Sequence, residues 1–109
     1  MHCSSYLVAD LKKQFVTSPH PLSVEVGKQV EMRCIPPAGE PPPDVYWLKN
    51  NVKIEPGDKD VILSKEGHLL ISEAKLQDTA NYTCVAENIA VKRQSDPAML
   101  TVYGEFSVF

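Results

Sequence analysis

A chain of 109 residues has room for one hydrophobic core and not two, and its 43% hydrophobic and 23% charged content is that of an ordinary folded chain. Its net charge of -3 supplies no basic footprint for nucleic acid. No apolar run approaches the ~18 residues of a membrane-spanning helix, and Tyr6-Leu7-Val8-Ala9 is too short for the core of a secretory leader, so the chain is expected to be one module of a longer protein.

In chain order, residues 1–10 carry no pattern and read as a tail or linker. Leu11-Lys12-Lys13-Gln14-Phe15-Val16-Thr17 approaches a first strand, and Ser18-Pro19-His20-Pro21 interrupts it. Proline donates no hydrogen bond and restricts its predecessor, which suits a strand that changes sheets partway. Leu22-Ser23-Val24-Glu25-Val26 alternates, Gly27-Lys28 turns, and residues 29–35 alternate again with Val30, Met32 and Cys34 on one face.

The proline-rich residues 36–43 read as a stiff loop that loses little entropy on folding, in preference to a polyproline ligand. Asp44-Val45-Tyr46-Trp47-Leu48-Lys49 is a strand with Val45 and Trp47 inward; Asn50-Asn51 turns and Val52-Lys53-Ile54 forms a short edge. Val61-Ile62-Leu63 is a strand whose inward side alternation leaves open. Leu69 and Ile71 point inward on the next strand, and Leu76 is expected to plug the end of the core at the following corner. A strand then runs to about Asn88, Lys92-Arg93 falls in a turn, and Ala98-Met99-Leu100-Thr101-Val102-Tyr103 closes the fold with Ala98, Leu100 and Val102 inward.

The spacing of four residues gives this pattern a framework. Cys34 and Cys84 are 50 positions apart, Trp47 lies 13 after the first and Tyr82 two before the second. That is similar to the immunoglobulin framework. The fold class implied is all-β: an immunoglobulin-like β-sandwich of the intermediate set, two antiparallel sheets joined by one inter-sheet disulfide. In that framework Trp47, Tyr82 and Leu76 belong to the core, the domain covers residues 11–103, and residues 104–109 are a C-terminal linker. A Cys34–Cys84 bond would close a loop worth about 4 kcal/mol in the chain-entropy model and needs an oxidising compartment. Cys3 is left over: a free thiol, a partner for a residue outside the chain, or a residue foreign to the natural protein.

Catalytic patterns are absent from the sequence. His2, His20 and His68 are isolated, with no zinc-ligand spacing around them. There is no nucleophile elbow and no phosphate-cradling glycine loop. No metal or other cofactor is expected, and the chain is read as a non-enzyme.

Three surface features remain. Asn81-Tyr82-Thr83 is an N-glycosylation sequon whose Asn81 and Thr83 alternate to the outside. Tyr46, Leu48, Val85, Met99 and Tyr103 fall on the outer face of the same sheet, a candidate protein-contact face. The basic pairs Lys12-Lys13 and Lys92-Arg93 are candidates for the sulfates of heparan sulfate.

Three stretches, residues 44–50, residues 78–89 and the glycine-less turn that leads through Val91 into Lys92-Arg93, carry a further resemblance. The chain resembles the second immunoglobulin domain of the uncoordinated-5 family of netrin receptors. The resemblance implies the extracellular part of a plasma-membrane receptor in axon guidance and cell migration. Its expected partners are a netrin-type cue, heparan sulfate or other cell-surface proteins, and neighbouring extracellular domains. The Leu11-to-Phe15 approach, the proline-rich loop and the ending Ser95-Asp96-Pro97-Ala98-Met99-Leu100-Thr101-Val102 also resemble the second domain of roundabout-type slit receptors. An intracellular structural immunoglobulin module is the third reading, and there the cysteines would stay reduced.

Overall fold

Alternation decides the layers. In the computed structural model, which describes residues 9–55 and 61–104, the strands are β1 (Asp10–Leu11), β2 (Leu22–Glu25), β3 (Val30–Met32), β4 (Gly39–Glu40), β5 (Asp44–Lys49) and β6 (Val52–Lys53). After them come β7 (Val61–Leu63), β8 (Leu69–Ile71), a single 3-10 turn (Leu76–Asp78), β9 (Ala80–Glu87), β10 (Lys92–Gln94) and β11 (Ala98–Tyr103). One sheet runs β2-β11-β9-β5-β6, with β10 also on β9; a second runs β3-β8-β7, and β1 pairs antiparallel with β4 as a separate two-stranded ladder. All pairings are antiparallel except β2 with β11, which is parallel. The expected change of sheets occurs at the prolines: Thr17 bridges to Ile35 beside β3, and beyond Pro21 the chain joins β11 in the opposite sheet. Cys3, the first eight residues and residues 105–109 lie outside the described residues.

Between the sheets lie Val30, Met32, Cys34, Trp47, Leu69, Ile71, Tyr82, Cys84, Ala98, Leu100 and Val102, the side chains that alternation turns inward. Cys34 and Cys84 are disulfide-bonded at a Cα separation of 6.4 Å. Trp47 is fully buried and donates its indole N–H to the carbonyl of Gly67 at 2.7 Å. Gly67 has φ of +97°, and a Cβ there would sit 3.0 Å from the Val45 side chain. The β7–β8 turn is thus glycine-dependent twice over, by conformation and by space. In the β5–β6 hairpin, Asn50 and Asn51 take φ of 50° and 69°, the left-handed pair that a two-residue turn between twisted strands requires.

At the corner before β9 the structure corrects one expectation. Leu76 is 43% exposed and plugs nothing. The 3-10 turn instead buries Ala74, just before it, and Asp78, whose carboxylate accepts from the Lys75 N–H at 2.8 Å. In an extended strand Leu76 and Asp78 would share a face, whereas at three residues per turn they point about 120° apart, so one can be buried while the other is exposed. Strand β7, left open above, turns Val61 and Leu63 toward the core and leaves Ile62 53% exposed.

Tyr82 donates its hydroxyl to the Asp78 carbonyl at 2.7 Å, which locks this corner onto β9. Burial foremost, then the negative charge of Asp78, pushes its pKa up from 10.0 to about 12. Between those two values the unfolded chain binds fewer protons than the folded one, so stability falls as pH rises. The contribution is complete below pH 10 and gone above about pH 12. In Tyr82→Phe this alkaline decline should be shallower in denaturant titrations at pH 9 to 12, after a loss of about 1–2 kcal/mol at neutral pH for the missing bond. A decline as steep as in the unmodified chain would assign the alkaline sensitivity to other groups.

Candidate functional site

Among the described residues no group of three or more His, Cys, Asp or Glu side chains comes together as a metal site. The surfaces that remain are the outer face of the larger sheet, one basic edge, and the sandwich end carrying the loop of residues 36–43 and the turn of residues 88–91.

On the outer face the five expected apolar residues separate into groups. Tyr46 pairs with Val85 and Leu48 with Thr83 across β5 and β9, while Gln94 flanks Val85 from β10. Strand β9 is central, so neighbours on both sides cover it: Val85 is 0% exposed and offers nothing to a partner, contrary to expectation. Tyr46 and Leu48 are half-buried, and the Lys53 ammonium lies 4.7 Å from the Tyr46 ring centroid. Met99 sits apart, opposite Asn81, and Tyr103 lies at the far end opposite Glu25; both are exposed. The same central position corrects the reading of the sequon. Asn81 is exposed, but Thr83 is buried between strands. The Asn81 main chain is tied to the hairpin turn, its N–H donating to Asn50 Oδ1 at 3.0 Å and its carbonyl accepting from the Asn50 N–H at 2.8 Å.

The basic residues divide differently from their sequence pairs. Lys92 and Arg93 form β10 instead of a turn, because Asn88 closes the chain reversal four residues early. Consecutive strand residues point to opposite faces, so Lys92 is exposed opposite Glu87 while Arg93 reaches the other way. Arg93 donates from Nε and Nη2 to the Leu11 carbonyl at 3.3 and 3.0 Å. The structure therefore gathers exposed Lys12 and Lys13 with Arg93 on one edge, and leaves Lys92 apart. Part of the guanidinium fork is occupied by the protein's own backbone, and among the described residues Nη1 and the second N–H of Nη2 have no protein partner.

Three organising side chains escaped the sequence reading. Asn88 accepts at Oδ1 from the N–H groups of Ala90 and Val91, at 2.9 and 3.2 Å. Its Nδ2 donates to the carbonyls of Asp10 at 2.7 Å and Pro41 at 3.0 Å, with that of Glu40 at 3.4 Å. Chain entry, proline loop and turn are joined through this one amide. An asparagine opening a reversal is the signal that would have found it. His68 is buried and accepts from the Cys34 N–H at Nδ1, 3.1 Å; Ser95 accepts from the Cys84 N–H at Oγ, 3.0 Å. Both disulfide half-cystines thus have their buried amides satisfied by side chains, a long-range pairing that no local pattern announces.

Comparison with known proteins agrees with this geometry. The family model of the immunoglobulin I-set domain matches residues 13–102. The netrin receptor unc-5 of Drosophila melanogaster is 44% identical over 96 residues, 88% of this chain and 9% of that receptor's length. Among solved structures, the N-terminal Ig1-2 module of the Drosophila receptor protein tyrosine phosphatase DLAR is 32% identical with a TM-score of 0.76, covering 83% of this chain and 45% of that one. A titin domain is 26% identical with a TM-score of 0.65, covering 82% of this chain and 96% of that one.

Proposed function

The chain belongs to the immunoglobulin I-set family, and from that premise we propose that it is an extracellular, non-catalytic recognition module of a netrin receptor, the second immunoglobulin domain of an uncoordinated-5 type ectodomain. The observation that carries this reading is the 44% identity to the netrin receptor unc-5 across 88% of the chain. The buried Cys34–Cys84 disulfide supports it, since such bonds persist in oxidising compartments. Rigid strands hold the loops, and recognition falls to the loops and exposed edges.

In this reading Lys12, Lys13 and Arg93 meet heparan sulfate along one edge, with Lys92 contributing from the neighbouring face. Asn81 carries a glycan that shields Met99 beside it, and Tyr46, Leu48 and Tyr103 remain for protein contact. Binding of the module to netrin, slit and heparin in parallel tests it. Netrin should bind and slit should not; the reverse preference would overturn the receptor assignment. Retention on a heparin column should fall when Lys12, Lys13 and Arg93 are reversed to Glu, and unchanged retention would remove that edge as the site. Protein from a secreting host should show added glycan mass at Asn81 and thiol reactivity at Cys3 at most.

A further inference from the structure

The turn of residues 88–91 is built as a fixed mount. Its reversal is closed by the Asn88 N–H on the Val91 carbonyl at 3.1 Å, and the Asn88 side chain clamps it to the chain entry and the proline loop. What the mount holds outward is Ile89, 85% exposed, the most exposed large apolar side chain among the described residues. Ile89 borders a concavity completed by Pro41, Pro42, Asp44, Glu87 and Asn88. Asp44 and Glu87 are direct cross-strand partners, both exposed. Like charges in that position oppose sheet pairing, and among the described residues neither carboxylate has an ion-pair or hydrogen-bond partner.

We propose that this end is a protein-docking tip: Ile89 enters an apolar socket on a partner protein, and Asp44 and Glu87 meet lysines or arginines on the rim of that socket. The inference rests on the reading of the module as an extracellular recognition domain and names the surface it uses. A turn already fixed by two side-chain hydrogen bonds within it and three to its neighbours loses little entropy when its apolar residue is captured. Central apolar anchors carry affinity, while unpaired rim charges set partner choice and association rate. Glu87 also faces Lys92 across β10, so the three side chains leave one net negative charge, and Asp44, with only Glu87 opposite it, is the carboxylate that a basic protein surface complements.

The test uses the purified module against a recombinant netrin and a panel of purified extracellular proteins. Ile89→Glu should weaken binding of a tip partner about tenfold or more with an unchanged thermal midpoint, as expected for a solvated side chain. Asp44→Lys should slow association severalfold at low salt and flatten its salt dependence, while leaving the midpoint unchanged or higher because the introduced ammonium attracts Glu87. Leu76→Glu, the same kind of change at the other end of β9, serves as the control. If netrin binds and both tip variants bind it like the unmodified module, the tip is overturned and the proposed function stands. If netrin fails to bind but another panel protein binds in a tip-dependent way, the netrin assignment falls and the tip stands. Binding of nothing in the panel would overturn both.

Discussion

Removing the Cys34–Cys84 bond, by reduction or by Cys34→Ala with Cys84→Ala, is expected to lower the unfolding free energy by about 4 kcal/mol, the chain-entropy value for a loop of some 50 residues. For a domain whose whole stability is of the order of 5–15 kcal/mol, that is a third or more of the total. The structure indicates where the loss would be felt. The two half-cystines tie the centres of opposite sheets, and their amides are held by His68 and Ser95, one in each sheet's connections. Neither of those side-chain bonds crosses between the sheets, so without the covalent tie β3 and β9 are held together only by the core packed between them. Urea unfolding with and without reductant measures the difference. A change below about 1 kcal/mol would mean that the reduced, unfolded chain stays nearly as restricted as the oxidised one.

Truncation of Trp47 should be of similar size. Trp47→Ala removes a fully buried indole next to the disulfide and is expected to cost about 3–5 kcal/mol. Trp47→Phe separates packing from hydrogen bonding. It keeps most of the apolar volume but leaves the Gly67 carbonyl without its indole donor, so about 1–2 kcal/mol should be lost. The β7–β8 turn should also loosen, and amide exchange at residues 64–68 reports it. Protection there equal to that of the unmodified chain would show that the indole acts by volume alone.

Residues whose environment is decided by strand alternation were legible from the chain alone: Val30 and Met32 on β3 with Cys34 just beyond it, Trp47 on β5, Tyr82 and Cys84 on β9, and Leu100 and Val102 on β11 all face the core as expected. Alternation, however, reports only the side of a sheet, never the depth of cover above it. That is why Val85 and Thr83 were expected at the surface: they do point outward, but from the middle of a sheet whose flanking strands enclose them. Leu76 failed for a different reason, a local switch from extended backbone to a 3-10 turn that changes which residue looks inward.

Of the surface sites, Lys12, Lys13 and Arg93 were legible as charges but not as neighbours, since their adjacency arises from a bond between residues 82 apart in sequence. The docking tip was not legible at all. An isoleucine in a turn draws no notice until Asn88 is seen to hold it still, and the opposition of Asp44 to Glu87 exists only in the β5–β9 register.

The parallel pairing of β2 with β11 matters when the module is pulled by its ends. Tension between the incoming and outgoing chain is directed along these two strands, Leu22 through Glu25 against Leu100 through Tyr103. Their hydrogen bonds then resist together in shear instead of opening one after another like a zipper. Should that patch yield, the disulfide still withholds the stretch between Cys34 and Cys84 from extension. The module thus resists load first by shared hydrogen bonds and then by a covalent stop.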